Sequence, residues 1–128
     1  MAGVSRGAAG EVLAARFLRE KGYRVLASNY RCRQGEVDII VADKQYIAFV
    51  EVKTRRSGSP YLPREAVTLS KQRRLIITAA LYLQDNPVNK QPRFDVIEVV
   101  TKPDDPMMVE EINHIMGAFE AGDLHAAF

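Results

Sequence analysis

The sequence predicts an α/β domain, a mixed sheet of four to five strands covered by helices. Three observations lead there. Apolar residues recur at helical spacing over residues 7–21 and again over 71–84, and β-branched and aromatic residues crowd two short segments between them. A further strand, apolar on both faces, follows the second helix, as expected in a sheet buried on both sides.

The elements follow in order. From Gly7 to Lys21, Leu13, Ala14, Phe17 and Leu18 share one helical face while Arg16, Arg19 and Glu20 take the other. Gly22 is placed to stop this helix. Tyr23 to Leu26 reads as a short strand and Ser28-Asn29 as a polar turn. Val37–Ala42 and Tyr46–Lys53 are strands joined by Asp43-Lys44-Gln45, which makes them an antiparallel hairpin. Gly58, Pro60 and Pro63 make the stretch from Arg55 to Pro63 a loop. Ser70 is expected to cap a helix from Lys71 to about Gln84, with Ile76, Ala79, Ala80 and Leu83 inward and Asn86-Pro87 ending it. Arg93 to Val100 is the next strand. A loop with Pro103 and Pro106 then leads to an expected terminal helix over about 107–122, with Ile112, Ile115, Met116 and Phe119 as its buried stripe. The expectation is one domain over residues 1–128, with a core of about 5–101 and a helical tail.

Composition narrows the function classes. At 47% hydrophobic and 27% charged residues the chain has the balance of a globular protein. No apolar run approaches the ~20 residues that span a bilayer, and Met1 to Arg6 lacks the pattern of a secretory leader. Cys32 is alone, which excludes an intramolecular disulfide and fits a reducing compartment. The expectation is a cytoplasmic protein with no membrane role. The net charge of +2 conceals an asymmetry: residues 1–75 carry fifteen basic against seven acidic residues (+8), and residues 76–128 carry three against nine (−6). One part of the molecule therefore offers a surface for polyanions.

The hairpin carries the chemistry. A connection over residues 43–46 pairs Ala42 with Ile47 and Ile40 with Phe49; continued, it brings Asp38 opposite Glu51, with Lys53 two residues on and on the same side. Two carboxylates facing each other on an apolar sheet need positive charge, which Lys53 or a divalent cation can supply. Mg²⁺ suits such oxygen ligands and retains sites for water and phosphate. Glu51-Val52-Lys53 by itself reads first as a salt-bridged strand edge; Asp38, brought opposite, reverses the preference to the functional reading. Arg31, Arg33, Arg55 and Arg56 flank the segment, and Lys71, Gln72, Arg73 and Arg74 open the second helix, where positive charge opposes the dipole; this fits phosphate contacts, with a solvated helix end as the commoner alternative. Other groups read as structural. His114 is expected on a helix surface, Asp95 beside Arg93 or the basic helix, and Tyr46, Tyr61 and Tyr82 in the core or at edges. Gly7 and Gly10 are expected to allow close helix packing. Cys32 sits between two arginines able to lower its pKa, with no general base beside it.

Gly35-Glu36-Val37-Asp38-Ile39-Ile40 and Phe49-Val50-Glu51-Val52-Lys53-Thr54-Arg55 resemble the D…E-x-K core of the restriction-endonuclease-like superfamily. More closely, the chain resembles the YraN-like family of small bacterial proteins, related in fold to archaeal Holliday-junction resolvases. Gly7-x-x-Gly10-Glu11, Gly22-Tyr23, Asn29-Tyr30-Arg31, Glu65-Ala66-Val67, Lys71-Gln72 and Arg93-Phe94-Asp95-Val96 extend the match over most of the chain. The resemblance implies a restriction-endonuclease-like α/β/α sandwich. It implies Asp38, Glu51, the Val52 backbone carbonyl and Glu11 around Mg²⁺ or Mn²⁺, with Lys53 as the catalytic lysine. For Glu11 the alternative is a favourable acid in the first helical turn; for Glu36, a further or outer ligand stands beside pairing with Arg31 or Arg33. The activity implied is a metal-dependent endonuclease acting on DNA, branched DNA included, and DNA rather than RNA as partner. The alternative is a non-catalytic DNA- or RNA-binding protein retaining a nuclease fold. Junction resolvases work as symmetric pairs, so a homodimer is compatible, though no residue pattern marks its face.

Overall fold

The computed structural model describes residues 5–59 and 67–122. Seven elements run in the order α1 (Arg6–Glu20), β1 (Arg24–Cys32), β2 (Gly35–Ala42), β3 (Tyr46–Arg56), α2 (Leu69–Asp85), β4 (Gln91–Lys102) and β5 (Asp105–Phe119). The five strands form one sheet in sequence order. Neighbours are antiparallel except β3 and β4, which are parallel and joined through α2, as a parallel pair requires a crossover. This is the α/β sandwich with a mixed sheet that the sequence predicts. No helix among the described residues is long and apolar enough to cross a membrane.

Each helix covers one sheet face. Leu13, Ala14 and Leu18 of α1 pack with Ile39, Val41, Ala48, Val50, Ile97 and Val99, while Leu75, Ile76, Ala79 and Tyr82 of α2 pack with Ile40, Ile47, Phe49, Phe94 and Val96. The alternation of the central strands between these two sets explains why they read as continuous apolar runs. Ser5 caps α1 by accepting from the Ala8 N–H. Its end is a Schellman motif: Tyr23 N–H bonds the Leu18 carbonyl, Gly22 N–H the Arg19 carbonyl, and Gly22 adopts φ +98°. Gly10 fits the close-packing role, since a Cβ there would lie 1.8 Å from Cγ2 of Thr54 on β3. Gly7 meets nothing within 4 Å.

Three expectations need correction. The polar stretch Ser28-Asn29 is not a turn, because β1 runs through it to Cys32 with a single left-handed residue, Asn29, at φ +52°. As an edge strand β1 tolerates polar residues, and asparagine tolerates that conformation. Thr68, not Ser70, caps α2, its hydroxyl accepting from the Lys71 N–H. The terminal helix is absent: residues 105–119 form β5, antiparallel to β4. Pro103-Asp104 makes the hairpin turn, with Lys102 opposite Asp105. Ladder irregularities around Val100 to Lys102 and Phe94 to Val96 place Val109 and Ile112 on the α1 side and Ile115 and Phe119 on the α2 side. A spacing of three and four imitates a helical stripe but here serves opposite faces of a bulged strand. Of the expected loop from Arg55 to Pro63, Arg55 and Arg56 belong to β3; residues 60–63, with Tyr61, and the Glu65-Ala66 pair lie outside the described residues.

A buried polar cluster ties β5 to the sheet. Asp95, fully buried, accepts from Arg93 through both oxygens (2.9 and 2.8 Å), from the Gly117 N–H (3.0 Å) and from His114 Nε2 (2.7 Å). His114 is therefore no surface histidine: its side chain is 3% exposed, and its Nδ1 faces the Lys21 ammonium at 2.7 Å. Burial raises the Asp95 pKa, but the His114 and Arg93 hydrogen bonds outweigh it and hold the carboxyl below its ordinary value.

Two stability measurements test this architecture. Gly10→Ala is expected to destabilise by about 1–3 kcal/mol through overpacking, despite alanine's better helix propensity, and to cost much less in a Thr54→Ala background. Asp95→Ala strands a buried guanidinium, so urea denaturation is expected to show a loss of about 3–5 kcal/mol. An Asp95→Ala loss within the range of a surface substitution would mean that the cluster contributes nothing.

Candidate functional site

The sheet opens where the two acids stand. The β2–β3 ladder follows the expected register, Ala42 to Ile47 and Ile40 to Phe49, and its last pair is Ile39 with Val50. At the next position Val52 N–H donates to Asp38 Oδ2 (2.8 Å) instead of continuing the ladder. On the other side of β2, the β1 register passes from Ser28–Ile39 to Tyr30–Val37, so left-handed Asn29 lies level with Asp38. On the β3 side the ladder thus ends one residue before Asp38, while on the β1 side the register runs on unchanged past Asn29.

Asp38 is 9% exposed and Glu51 6%. Burial, reinforced by Glu51 and then by Glu11 and Glu36, pushes the Asp38 carboxyl up to about 7, against the Val52 hydrogen bond that lowers it. Glu51 is answered by two lysines on the same oxygen: Lys71 Nζ at 2.8 Å and Lys53 Nζ at 3.3 Å from Oε1. Asp38 Oδ1 and Glu51 Oε2 take no hydrogen bond or ion pair from the described residues. The Lys53 pKa is lowered, first by burial and then by Lys71, with Glu51 opposing. For Lys71 burial lowers the pKa, but hydrogen bonding to Glu51 and Lys53 outweighs it, and the net shift is upward.

Glu11, half-buried on α1, lines one cleft together with Asp38, Ser28, Asn29 and Arg19. Among the described residues, however, no three His, Cys, Asp or Glu side chains gather so as to hold a metal ion. Glu36 pairs with Arg31 (3.0 Å), one of the two alternatives for it, while still adding negative charge near Asp38.

The basic residues divide by position. The β1–β2 hairpin tip and the first turns of α2 enclose an open cleft of about 530 Å³ lined by Arg31, Arg33, Glu36, Lys71 and Arg74 among others. Gly35 allows this approach, since a Cβ there would meet Thr78 Oγ1 at 3.1 Å. Arg56 and Arg73 are exposed but do not line it. Arg55 is half-buried, its Nη1 donating to the Ser59 carbonyl (3.3 Å). Gln72 turns inward, its Nε2 donating to the Val67 carbonyl (3.1 Å), which gives it a role in holding the start of α2. Cys32 also lines the cleft. Burial raises its pKa, but hydrogen bonding with Thr78 and with the Gln34 and Gly35 backbone, rather than the flanking arginines, brings it below the ordinary thiol value.

Two features escape a reading of the sequence alone. Lys71 is read there as a phosphate contact, yet it reaches Glu51 more closely than Lys53 does; that contact spans twenty residues and two elements, with no local signal. Asn29 carries the signal of its residue type, since asparagine is favoured at positive φ, but only the register reveals that it stands beside Asp38.

Residues 10–99 match the family described as uncharacterised protein family UPF0102. A UPF0102 protein of Caldanaerobacter subterraneus subsp. tengcongensis is 44% identical over 114 residues, covering 88% of this chain and 93% of its own. One of Symbiobacterium thermophilum is 52% identical over 99 residues (77% and 84%), and one of Chlorobaculum tepidum 46% over 121 (91% and 93%).

The raised Asp38 pKa has a stability consequence. Its stabilising effect is complete below the unfolded value near 3.8 and is lost as pH rises through about 7. Without divalent cations, Asp38→Asn is therefore expected to melt above wild type at about pH 8, with the difference vanishing toward about pH 4. Thermal unfolding across this range, in EDTA, checks it.

Proposed function

The chain belongs to the uncharacterised protein family UPF0102, a description that carries no activity, and we propose that its site hydrolyses phosphodiester bonds in DNA with a bound Mg²⁺ or Mn²⁺. The observation that carries this reading is the pair of buried carboxylates, Asp38 and Glu51, at the open end of the β2–β3 hairpin, next to a basic cleft. Purely structural carboxylates in such burial would be expected to find full pairing within the fold, as Asp95 does. Asp38 instead keeps an oxygen unengaged by the described residues and a pKa of about 7.

The donor set fits a hard cation. Mg²⁺ is commonly held by one or two carboxylates and completed by water and substrate phosphate, so a third protein carboxylate is not required. Asp38 Oδ1 and Glu51 Oε2 would hold it, with the Val52 carbonyl and Glu11, which lines the cleft beside Asp38, as further oxygens. The cation would supply charge to the scissile phosphate and acidify a water. Lys53, fixed beside Glu51 and partly desolvated, places a positive charge where the phosphoryl group gains negative charge. Arg31, Arg33 and Arg74 line the path along which the flanking phosphates would run. The order of Asp38, Glu51 and Lys53 along one hairpin also supports kinship with the restriction-endonuclease-like superfamily and its Holliday-junction resolvases; branched DNA belongs in the first substrate panel for that reason.

One observation favours a non-catalytic nucleic-acid binder instead: no third acid joins the described site, and Glu51 already holds two lysines. Incubation with linear, nicked, flapped and four-way DNA, and with RNA, separates the two. Catalysis requires cutting that depends on Mg²⁺ or Mn²⁺, stops in EDTA, and falls at least about 100-fold in Asp38→Asn and in Lys53→Ala. Steeply salt-dependent binding without cutting in either metal would leave the binder.

A further inference from the structure

Glu51 carries two ammonium groups on one oxygen, and they differ in where else they lead. Lys53 comes from the same strand, and its side chain is 18% exposed. Lys71 comes from the first turn of α2, is 33% exposed, and also lines the basic cleft beside Arg74 and opposite the Arg31 hairpin tip. It therefore touches the carboxylate on one side and faces the polyanion surface on the other.

Charge makes this position consequential. Of the two buried carboxylates at the site, Glu51 takes both Lys53 and Lys71, while Asp38 accepts, among the described residues, only the Val52 N–H. A divalent cation arriving between these carboxylates meets the Lys71 ammonium 2.8 Å from Glu51, one of its own ligands. A phosphate in the cleft changes the account by offering Lys71 another anion within reach of its flexible stem.

Resting on the function proposed above, we infer that Lys71 is a positioning residue that holds Glu51 as an exchangeable counter-ion. It yields the carboxylate to the divalent cation and turns to a substrate phosphate when nucleic acid enters the cleft. Cation and nucleic acid then bind with positive coupling, and by linkage each strengthens the other equally. The less exposed Lys53 remains at the reacting end.

The test is Mn²⁺ titration by calorimetry of the full chain, with and without a short phosphorothioate DNA duplex. Wild type is compared with Lys71→Gln, Lys71→Arg and Asp38→Asn. Without DNA, Lys71→Gln is expected to bind Mn²⁺ at least about tenfold more tightly than wild type, because the competing charge is gone. Lys71→Arg is expected to bind like wild type. The duplex should raise the Mn²⁺ affinity of wild type more than that of Lys71→Gln. If Lys71→Gln binds no more tightly than wild type while Asp38→Asn abolishes binding, the metal site stands and the exchange role falls. If no form binds Mn²⁺ with or without duplex, or if Asp38→Asn binds as wild type does, the metal reading falls and this inference with it. Lys71→Met, which keeps the aliphatic stem, replaces Lys71→Gln if the latter melts well below wild type.

Discussion

Two carboxylates that repel each other are held together because the strands carrying them are fixed by everything except those carboxylates. Ile39, Ile40, Val41 and Ala42 are locked against Ile47 to Val50 by a regular ladder and by helices on both faces. The register then leaves Asp38 and Glu51 adjacent at its open end. The fold meets the cost in three ways: a backbone N–H turned from the ladder to Asp38, a lysine from the same strand, and a lysine from α2. None of these offsets burial and the repulsion from Glu51, which together hold the Asp38 pKa up, burial contributing most. Carboxyl groups so poised, with unengaged oxygens, favour the arrival of positive charge.

The same constraint accounts for features farther out. Lys71 reaches Glu51 only because α2 begins at Thr68, whose hydroxyl caps the Lys71 N–H and fixes the first turn. At Gly35 a Cβ would meet Thr78 Oγ1 at 3.1 Å and Arg74 Cβ at 3.4 Å, so glycine lets the β2 start lie close against α2. Asn29 takes a left-handed conformation level with Asp38 while the β1–β2 register stays the same on either side of it. Glycine and asparagine at these two positions serve the site's geometry through the backbone.

What could be read from the sequence follows what is local. The hairpin register depends on a short turn, where Asp43 accepts from the Gln45 and Tyr46 N–H groups, and on strict alternation. Both are visible in residues 37–53, so the ladder that ends at Ile39 and Val50, with Asp38 and Glu51 next beyond it, is derivable. The caps were less so: Thr68 and Ser70 both have the right chemistry, and only packing chooses between them. The last strand was hidden because bulges break its alternation, and because Ile112, Ile115, Met116 and Phe119 fall at a spacing that a helix would share. His114 went astray with it, since its place as a buried partner of Asp95 exists only once β5 lies on β4. Lys71 shows the general limit: a contact between elements brought together by tertiary packing leaves no mark in either segment.

The distribution of charge then acquires a spatial meaning. The basic half of the chain supplies the β1–β2 hairpin tip and the start of α2, which meet beside the carboxylates. The acidic half supplies β5, at the opposite edge of the sheet, with Glu110 and Glu111 exposed along it. A polyanion approaching such a molecule is drawn to one edge and repelled from the other, which orients it before any specific contact forms. Within the acidic half, Asp95 is withdrawn from this field by burial and four hydrogen bonds, and what it anchors is β5 against β4, the strand next to β3. A rigid β4 matters at the site because Glu51 and Lys53 stand on β3 directly alongside Val96 and Glu98. The aspartate that is hydrogen-bonded through both oxygens thus steadies the strand beside the one that carries Glu51 and Lys53.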